Sequence, residues 1–134
     1  MRHSSVGYLG ALCIASLLTV GPAFAQGQAA ARSAADIKAL LLGTPIWHAD
    51  WIKPGDTGVS EIVFEARGDK VVAKIVRITP PTTSCEHDVT ITAGVVKFDA
   101  CRRNNVILRF DPNDRDHPFK GASEGDFEWK LKRK

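Results

Sequence analysis

The chain lacks an apolar run long enough to serve as a membrane anchor. An anchor of this kind needs roughly 18 or more consecutive apolar residues. The apolar stretch from Val6 to Val20 is interrupted by Ser16 and Thr19, and Gly21 and Pro22 follow it at once. We therefore expect no membrane anchor.

The first residues have instead the three parts of a secretory signal peptide. A short basic start, Met1-Arg2-His3, precedes the apolar stretch, and Ala23-Phe24-Ala25 forms an A-x-A cleavage site before Gln26. We predict that residues 1–25 are a signal peptide cleaved after Ala25. The mature protein is then periplasmic or secreted.

An excess of charge of one sign is also missing. The chain has 18 Lys and Arg against 15 Asp and Glu, and Arg2 is the only one of these residues in the predicted signal peptide. The mature chain is therefore nearly balanced in charge, which argues against a nucleic-acid partner.

Cysteine is scarce, with three residues in the whole chain. Cys13 lies in the predicted signal peptide, so Cys85 and Cys101 alone reach the oxidising compartment, where we expect them to form a disulfide. Closing this loop contributes about 3 kcal/mol in the chain-entropy model. Because no Cys-x-x-Cys motif is present, we predict a structural bridge and not a redox site.

Several common catalytic motifs are absent. The sequence contains no His-Glu-x-x-His motif, phosphate loop or dinucleotide fingerprint. The predicted disulfide also consumes both cysteines of the mature chain. We therefore expect a binding protein with no cofactor, and not an enzyme.

What remains after the signal peptide is a short lead-in and one domain. Residues 26–32 are rich in alanine and glutamine without a pattern, which predicts a flexible segment. Residues 33–134 are long enough for a single hydrophobic core. We predict that they form one domain, a helix followed by a β-barrel.

The domain begins with one short predicted helix. Ser33 followed three residues later by Asp36 resembles a capping box, and Gly43 suits the C′ position after the last helical residue. The apolar face of this helix consists of Ile37, Leu40 and Leu41. We expect that face to pack on the β structure that follows.

From Pro45 onward, apolar and polar residues alternate in short segments between turn residues. This pattern predicts a mainly all-β domain of about eight antiparallel strands. A meander of this size either closes into a small barrel or stays a curled sheet, and closure is favoured because it removes the sheet edges. The predicted strands are 46–52, 60–66, 71–79, 85–92, 95–101, 106–110, 118–122 and 127–132.

Three hairpins can be aligned so that apolar residues meet on one face. A two-residue Gly68-Asp69 loop suits a type II′ turn, and three-residue loops at 103–105 and 124–126 serve the other two hairpins, with Asn105 tolerating a left-handed conformation. The predicted pairs are Ala66–Val71, Phe64–Ala73 and Ile62–Ile75, then Ala100–Leu108 and Phe98–Phe110, then Gly121–Trp129 and Phe119–Leu131.

The hairpin between the cysteines satisfies no single register. Pairing Ile91 with Val96 fills the core but sends the two cysteines to opposite faces of the sheet. Shifting the register by one residue places the two cysteines on the same face but turns Ile91 away from the core, because side chains alternate along a strand. We therefore predict a β-bulge near residues 86–88 or 99–102.

Gly43 and Trp47 lie between the predicted helix and the first strand, and Arg133 follows the last predicted strand. This arrangement resembles the Gly-x-Trp motif that opens lipocalin barrels, with two additional residues in the spacing and with Arg133 in the place of the basic residue that packs on that tryptophan. The resemblance covers most of the mature chain. It implies a calycin-like barrel with a pocket for a small apolar ligand.

The predicted interior contains all three tryptophans. An eight-stranded barrel is either filled by side chains or left with room for one small ligand. The small interior residues either outline a cavity or let the large rings fit. For a hollow barrel, the candidate ligand-binding residues are Trp47, Trp51, Phe64, Phe98 and Trp129. The full predicted interior adds Ile62, Ile75, Val89, Ile91, Val96, Leu108, Phe110, Phe119 and Leu131, with Ala49, Ala66, Ala73, Ala100 and Gly121 among them.

Two polar groups are candidate metal ligands. Asp111, Asp114 and Asp116 in the loop 111–117 supply oxygen atoms of the kind that calcium prefers, although turn chemistry explains the same residues. His48 and Asp50 lie two apart on one strand and therefore on one face, where they would need a third ligand. The alternative is that both groups are ordinary polar residues at the surface, with no metal bound.

Two functions remain open for the exported barrel. In the first, a small apolar molecule lies in the barrel. In the second, the core is filled, and the loops and outer face bind a protein or the cell envelope, as small secreted inhibitors of envelope-degrading enzymes do. The 111–117 loop would protrude, and Lys120 with residues 130–134 would supply positive charge. We expect a monomer in either case.

Overall fold

The computed structural model describes residues 33–134, so the predicted signal peptide and lead-in lie outside the described residues. The strands are all antiparallel, each pairs with its neighbours along the chain, and the last pairs with the first to close a barrel. The predicted fold is confirmed in its closed form. The elements are α1 Ala34–Gly43, β1 Trp47–Lys53, β2 Asp56–Arg67, β3 Lys70–Arg77, β4 Thr83–Thr92, β5 Val95–Ala100, β6 Arg103–Phe110, β7 Phe119–Ser123 and β8 Phe127–Arg133.

Helix α1 begins as predicted and ends differently. Ser33 is the N-cap, and its Oγ accepts a hydrogen bond from the backbone N–H of Asp36 at 3.1 Å. Gly43 is the last helical residue and has no left-handed backbone, so the predicted C′ role is wrong. Thr44 caps the helix instead, because its hydroxyl donates to the Leu40 carbonyl at 3.3 Å. Within residues 33–134, no helix is long and apolar enough to cross a membrane.

Two of the three predicted hairpin registers are confirmed. The β2–β3 pairs and the β7–β8 pairs match the prediction residue for residue. Gly68 has φ 63° at the first loop position, as a type II′ turn requires. Gly121 pairs with Trp129 on β8, but its lack of a side chain matters for the contact with β6. A Cβ there would lie 1.8 Å from the Ile107 carbonyl oxygen, so the glycine lets β6 approach β7.

The predicted β5–β6 register is wrong by four residues. Phe98 pairs with Val106 and not with Phe110, and the chain turns at residues 101–102. A slip by an even number of residues keeps every side chain on its original face, so the apolar pattern cannot distinguish these registers. Asn105 is left-handed as predicted, with φ 56°, but its N–H donates to Asp99 Oδ1 at 2.9 Å within the sheet.

The predicted disulfide and the predicted irregularity are both present. Cys85 and Cys101 are bonded, with Cα atoms 5.6 Å apart. The β4–β5 ladder contains the predicted Ile91–Val96 pair. The register shifts at Asp99, in the second of the two predicted segments, although the shift is in the pairing of β5 with β6.

The core differs from the predicted interior at a few positions. Ala66 is exposed because it lies beside the β2–β3 turn, and Val89, Ile91 and Phe110 are only partly buried. Gly121 is also only half-buried. Buried residues that the prediction omitted are Val71, Val72, Val106 and Phe127.

Helix α1 covers the barrel end at which β1 begins. Its Ile37 and Leu41 are fully buried in the core. The Trp47 indole Nε1 donates to the Leu41 carbonyl at 3.3 Å, and its ring meets Phe119 edge to face at 5.4 Å. The Arg133 guanidinium lies 5.9 Å from the centre of the Trp47 ring, the contact implied by the resemblance to lipocalins. This end of the barrel is therefore closed.

Candidate ligand-binding site

A cavity of about 110 Å³ opens at the other end of the barrel. It lies where β1 and β3 end, where β2 begins, and beside the turn between β5 and β6. We call this opening the mouth. It is lined by Trp51, Lys53, Asp56, Ser60, Ile75, Arg77, Ala100, Cys101, Arg102, Arg103, Phe127 and Trp129.

Aromatic rings form the apolar walls of the mouth. Trp51 and Phe127 pack with ring centres 5.6 Å apart, and both are almost fully buried. Trp129 lies beside them, and its indole N–H donates to Ser123 Oγ at 2.9 Å. The rings are therefore fixed before any ligand arrives, which lowers the entropy cost of binding.

Gly58 fixes the position of the Trp51 ring. The two residues face each other across β1 and β2. A Cβ at Gly58 would lie 1.9 Å from Trp51 Cζ2, so the indole rests directly on the backbone of β2. Any side chain at position 58 would push this ring from its place in the wall.

The structure separates the five candidate ligand-binding residues into two groups. Trp51 and Trp129 line the mouth. Trp47 lies at the closed end, and Phe64 and Phe98 fill the interior in an edge-to-face pair with centres 5.9 Å apart. The middle of the barrel is thus filled by these two rings, and the candidate residues that line a cavity lie at the mouth.

Sequence reasoning missed Ser60 and Arg77, which line the mouth. They face each other across β2 and β3, two residues beyond the correctly predicted Ile62–Ile75 pair. Continuing the same register to the next pair that faces the interior identifies Ser60 and Arg77. Both residues are polar, whereas the predicted interior consists of apolar residues and one glycine.

The rim of the mouth is basic. Lys53, Arg77, Arg102 and Arg103 line it, and Asp56 is the only carboxylate among the lining residues. Three of these cations lie over aromatic rings. The Arg77 guanidinium is 5.0 Å from the centre of the Trp51 ring, and the Arg103 guanidinium and Lys53 Nζ are 4.2 Å and 5.7 Å from the centre of the Phe127 ring. Such cation–π contacts hold the charges at the edge of the cavity.

The 111–117 loop is organised by turn bonds and a lysine. Asp111 Oδ1 accepts the Asn113 N–H, and Asp114 Oδ1 accepts the His117 N–H, both at 2.9 Å. The Lys120 Nζ lies 3.3 Å from Asp111 and 2.9 Å from Asp114. Asp116 is exposed. These contacts are the ones expected if the aspartates stabilise turns in the loop.

His48 and Asp50 are in contact on the outer face of β1, with Nε2 and Oδ1 3.2 Å apart. His117 Nε2 lies 4.0 Å from the other oxygen of Asp50. Across residues 33–134, no three His, Cys, Asp or Glu side chains form a group suited to a metal ion. The predicted metal candidates are therefore not assembled into a site.

Asp114 gives a testable pH dependence. The hydrogen bond from Lys120, followed by the one from the His117 N–H, lowers the pKa of this carboxyl from 3.8 to about 2. A lowered folded-state pKa stabilises the fold above the unfolded value, and this stabilisation is lost as the pH falls through the folded value. We expect Asp114→Asn to be modestly less stable than the wild type at pH 7, with the difference shrinking between about pH 4 and pH 2.

Thermal unfolding of both proteins from pH 7 to pH 2 measures this effect. Asp116→Asn is the matched control, since this exposed neighbour has no bond to Lys120. A difference between Asp114→Asn and the wild type that stays constant across the whole range would contradict the assignment.

The mouth combines rigid aromatic walls, a polar interior pair and a basic rim. These features suit noncovalent binding of a small molecule that has an apolar part and a polar part. No family model, curated protein or solved structure matches this chain.

Proposed function

We propose that the protein is an exported binding protein that holds a small molecule in the mouth of its barrel. The observation that supports this most is the preformed cavity walled by Trp51, Phe127 and Trp129. The disulfide supports an oxidising compartment outside the cytosol.

The size of the cavity limits what fits. An apolar protein cavity of about 150 Å³ binds benzene, and the mouth is somewhat smaller at about 110 Å³ but open to solvent. It therefore accommodates one ring-sized apolar group, while the rest of the ligand lies at the rim. This differs from the sequence-based hypothesis of a ligand deep among all five aromatic residues.

Benzamide is a suitable first probe, because it has one ring and a neutral polar end. We expect it to bind with a dissociation constant in the roughly millimolar range, as its few atoms allow. Ala100 is buried in the wall of the mouth. Ala100→Leu should fill the cavity and weaken binding about tenfold or more, a loss of about 1.4 kcal/mol.

Ala66→Leu is the matched control, because Ala66 is exposed at the opposite end of the barrel. Titrations followed by tryptophan fluorescence or by NMR measure both variants. The proposal fails if neither benzamide nor its charged analogue benzoate binds the wild type, or if Ala66→Leu weakens binding as much as Ala100→Leu.

The outer face of the barrel favours a second candidate function, the binding of an anionic partner. Arg109 pairs with Lys120, and Lys120 pairs with Lys130, so three cations lie side by side across β6, β7 and β8. Like charges directly opposite each other destabilise a sheet. Lys120 is neutralised by Asp111 and Asp114. Within residues 33–134, no carboxylate oxygen lies within 4 Å of Arg109 or of Lys130, although Asp50 is opposite Lys130 on β1.

Native mass spectrometry of the protein purified from its own host separates the two functions. A small bound mass that disappears in Ala100→Leu supports the mouth. A macromolecular partner that disappears in Lys130→Gln, with the small mass absent, supports the outer face.

A further inference from the structure

We infer that the ligand of the mouth is a small organic anion, with a carboxylate or similar group attached to its ring-sized apolar part. This inference rests on the proposed function and adds the chemical class of the ligand. It is carried by the charges at the rim and by one buried hydroxyl.

The cations of the rim lack carboxylate partners. Among residues 33–134, no carboxylate oxygen lies within 4 Å of Lys53, Arg77, Arg102 or Arg103. Some cations elsewhere on the barrel are paired, as when Lys120 meets two aspartates, and others, such as Arg109, are not, but the mouth brings four unpaired cations to one cavity. Four positive charges against the single carboxylate of Asp56 leave the mouth strongly positive.

The two stacked arginines keep donors available for an anion. A guanidinium has five N–H donors. Arg77 uses its Nε–H on the Thr79 carbonyl at 3.0 Å, and Arg103 uses one Nη1–H on the Arg102 carbonyl at 2.8 Å. Since the remaining donors make no bond to another described residue, both side chains can bind a carboxylate by charge-assisted hydrogen bonds.

Ser60 supplies an independent indication of a ligand. Its side chain lines the mouth and is only 3% exposed. The other buried polar side chain, Thr44, donates to a carbonyl, whereas the Ser60 hydroxyl makes no hydrogen bond to any described residue. Buried polar groups in proteins are nearly always bonded to protein, water or ligand. Opposite Arg77, this hydroxyl is placed to complete the binding of an anion.

Benzoate and benzamide form a matched pair of probes, because they have similar shape and differ in charge. At pH 7 and about 150 mM salt, where the screening length is about 8 Å, we expect the wild type to bind benzoate about tenfold more tightly than benzamide, since hydrogen bonds to a charged acceptor are stronger than those to a neutral one. Arg103→Gln should reduce this preference, and the double variant Arg77→Gln/Arg103→Gln should abolish it.

Arg115→Gln removes one charge from the exposed 111–117 loop and serves as the charge-matched control for Arg103→Gln. Its preference for benzoate should equal that of the wild type. Equal binding of the two probes by the wild type overturns the anion inference and leaves the proposed function intact. A preference that survives in the double variant, or that is lost equally in Arg115→Gln, also overturns it. If neither probe binds the wild type, the proposed function itself fails.

Discussion

Removing the Cys85–Cys101 disulfide is expected to lower the free energy of unfolding by about 3 kcal/mol. The bond joins residues 16 apart in the sequence, so it restricts the unfolded chain over a loop of that length. It also holds together two neighbouring strands that share few backbone pairs, β4 and β5. The β4–β5 ladder has three residue pairs, fewer than any other pair of neighbouring strands in the barrel.

Chemical denaturation with and without reductant measures this loss. In a domain of this size, about 3 kcal/mol corresponds to a decrease in Tm of about 15 °C. The Cys85→Ala/Cys101→Ala variant should match the reduced wild type and should not respond to reductant. An unchanged denaturation midpoint on reduction would show that the sheet alone holds this part of the barrel.

Because Cys101 lines the mouth next to Arg102 and Arg103, the same bond also positions the site. The disulfide ties the β5–β6 turn to β4. We therefore interpret it as a support for the basic rim as well as a bridge that stabilises the fold.

Replacing Trp47 by alanine is expected to lower the free energy of unfolding by about 3–5 kcal/mol. The ring is fully buried, meets Phe119, and carries the hydrogen bond to the Leu41 carbonyl that joins β1 to the helix. Trp47→Phe keeps most of the apolar volume and loses this hydrogen bond, so its cost should be nearer to about 1 kcal/mol.

Urea denaturation of the two variants measures these costs, and benzamide titration of Trp47→Phe tests whether the closed end takes part in binding. Because Trp47 does not line the mouth, we expect Trp47→Phe to bind benzamide as the wild type does. If Trp47→Ala lowered the free energy of unfolding by less than about 1 kcal/mol, the packing of the closed end would be contradicted, since removing a buried ring of this size lowers it by about 3 kcal/mol or more.

The sequence predicts most of this fold because alternation along a strand is a strong constraint. Pairing outward from the Gly68-Asp69 turn identifies β2 and β3 residue for residue. The same reasoning fails at β5 and β6, since the predicted and observed registers differ by an even number of residues and bury the same face. The observed register contains a shift at Asp99, whose side chain accepts a hydrogen bond from the Asn105 N–H, and periodicity does not encode a local contact of this kind.

The mouth was only partly predictable. Trp51 and Trp129 are recognised as interior because large aromatic residues alternate with polar ones. Trp47 seals one end of the barrel because the helix packs there, and Trp51 lines the opposite end. The position of the helix depends on tertiary contacts, so periodicity does not distinguish the two residues. The basic rim brings together residues from three strands and a turn, so it becomes visible only in the closed barrel.

The indole N–H signals of the three tryptophans test the central claim most directly, because each reports on a different place in the barrel. In a ¹H–¹⁵N NMR titration with benzoate, the signals of Trp51 and Trp129, which line the mouth, should shift in a saturable way. The Trp47 signal should stay in place, since its N–H is bonded to Leu41 at the closed end. A Trp47 signal that shifts with the other two, or three signals that stay fixed up to about 50 mM benzoate, well above the roughly millimolar affinity expected of so small a probe, would contradict the account.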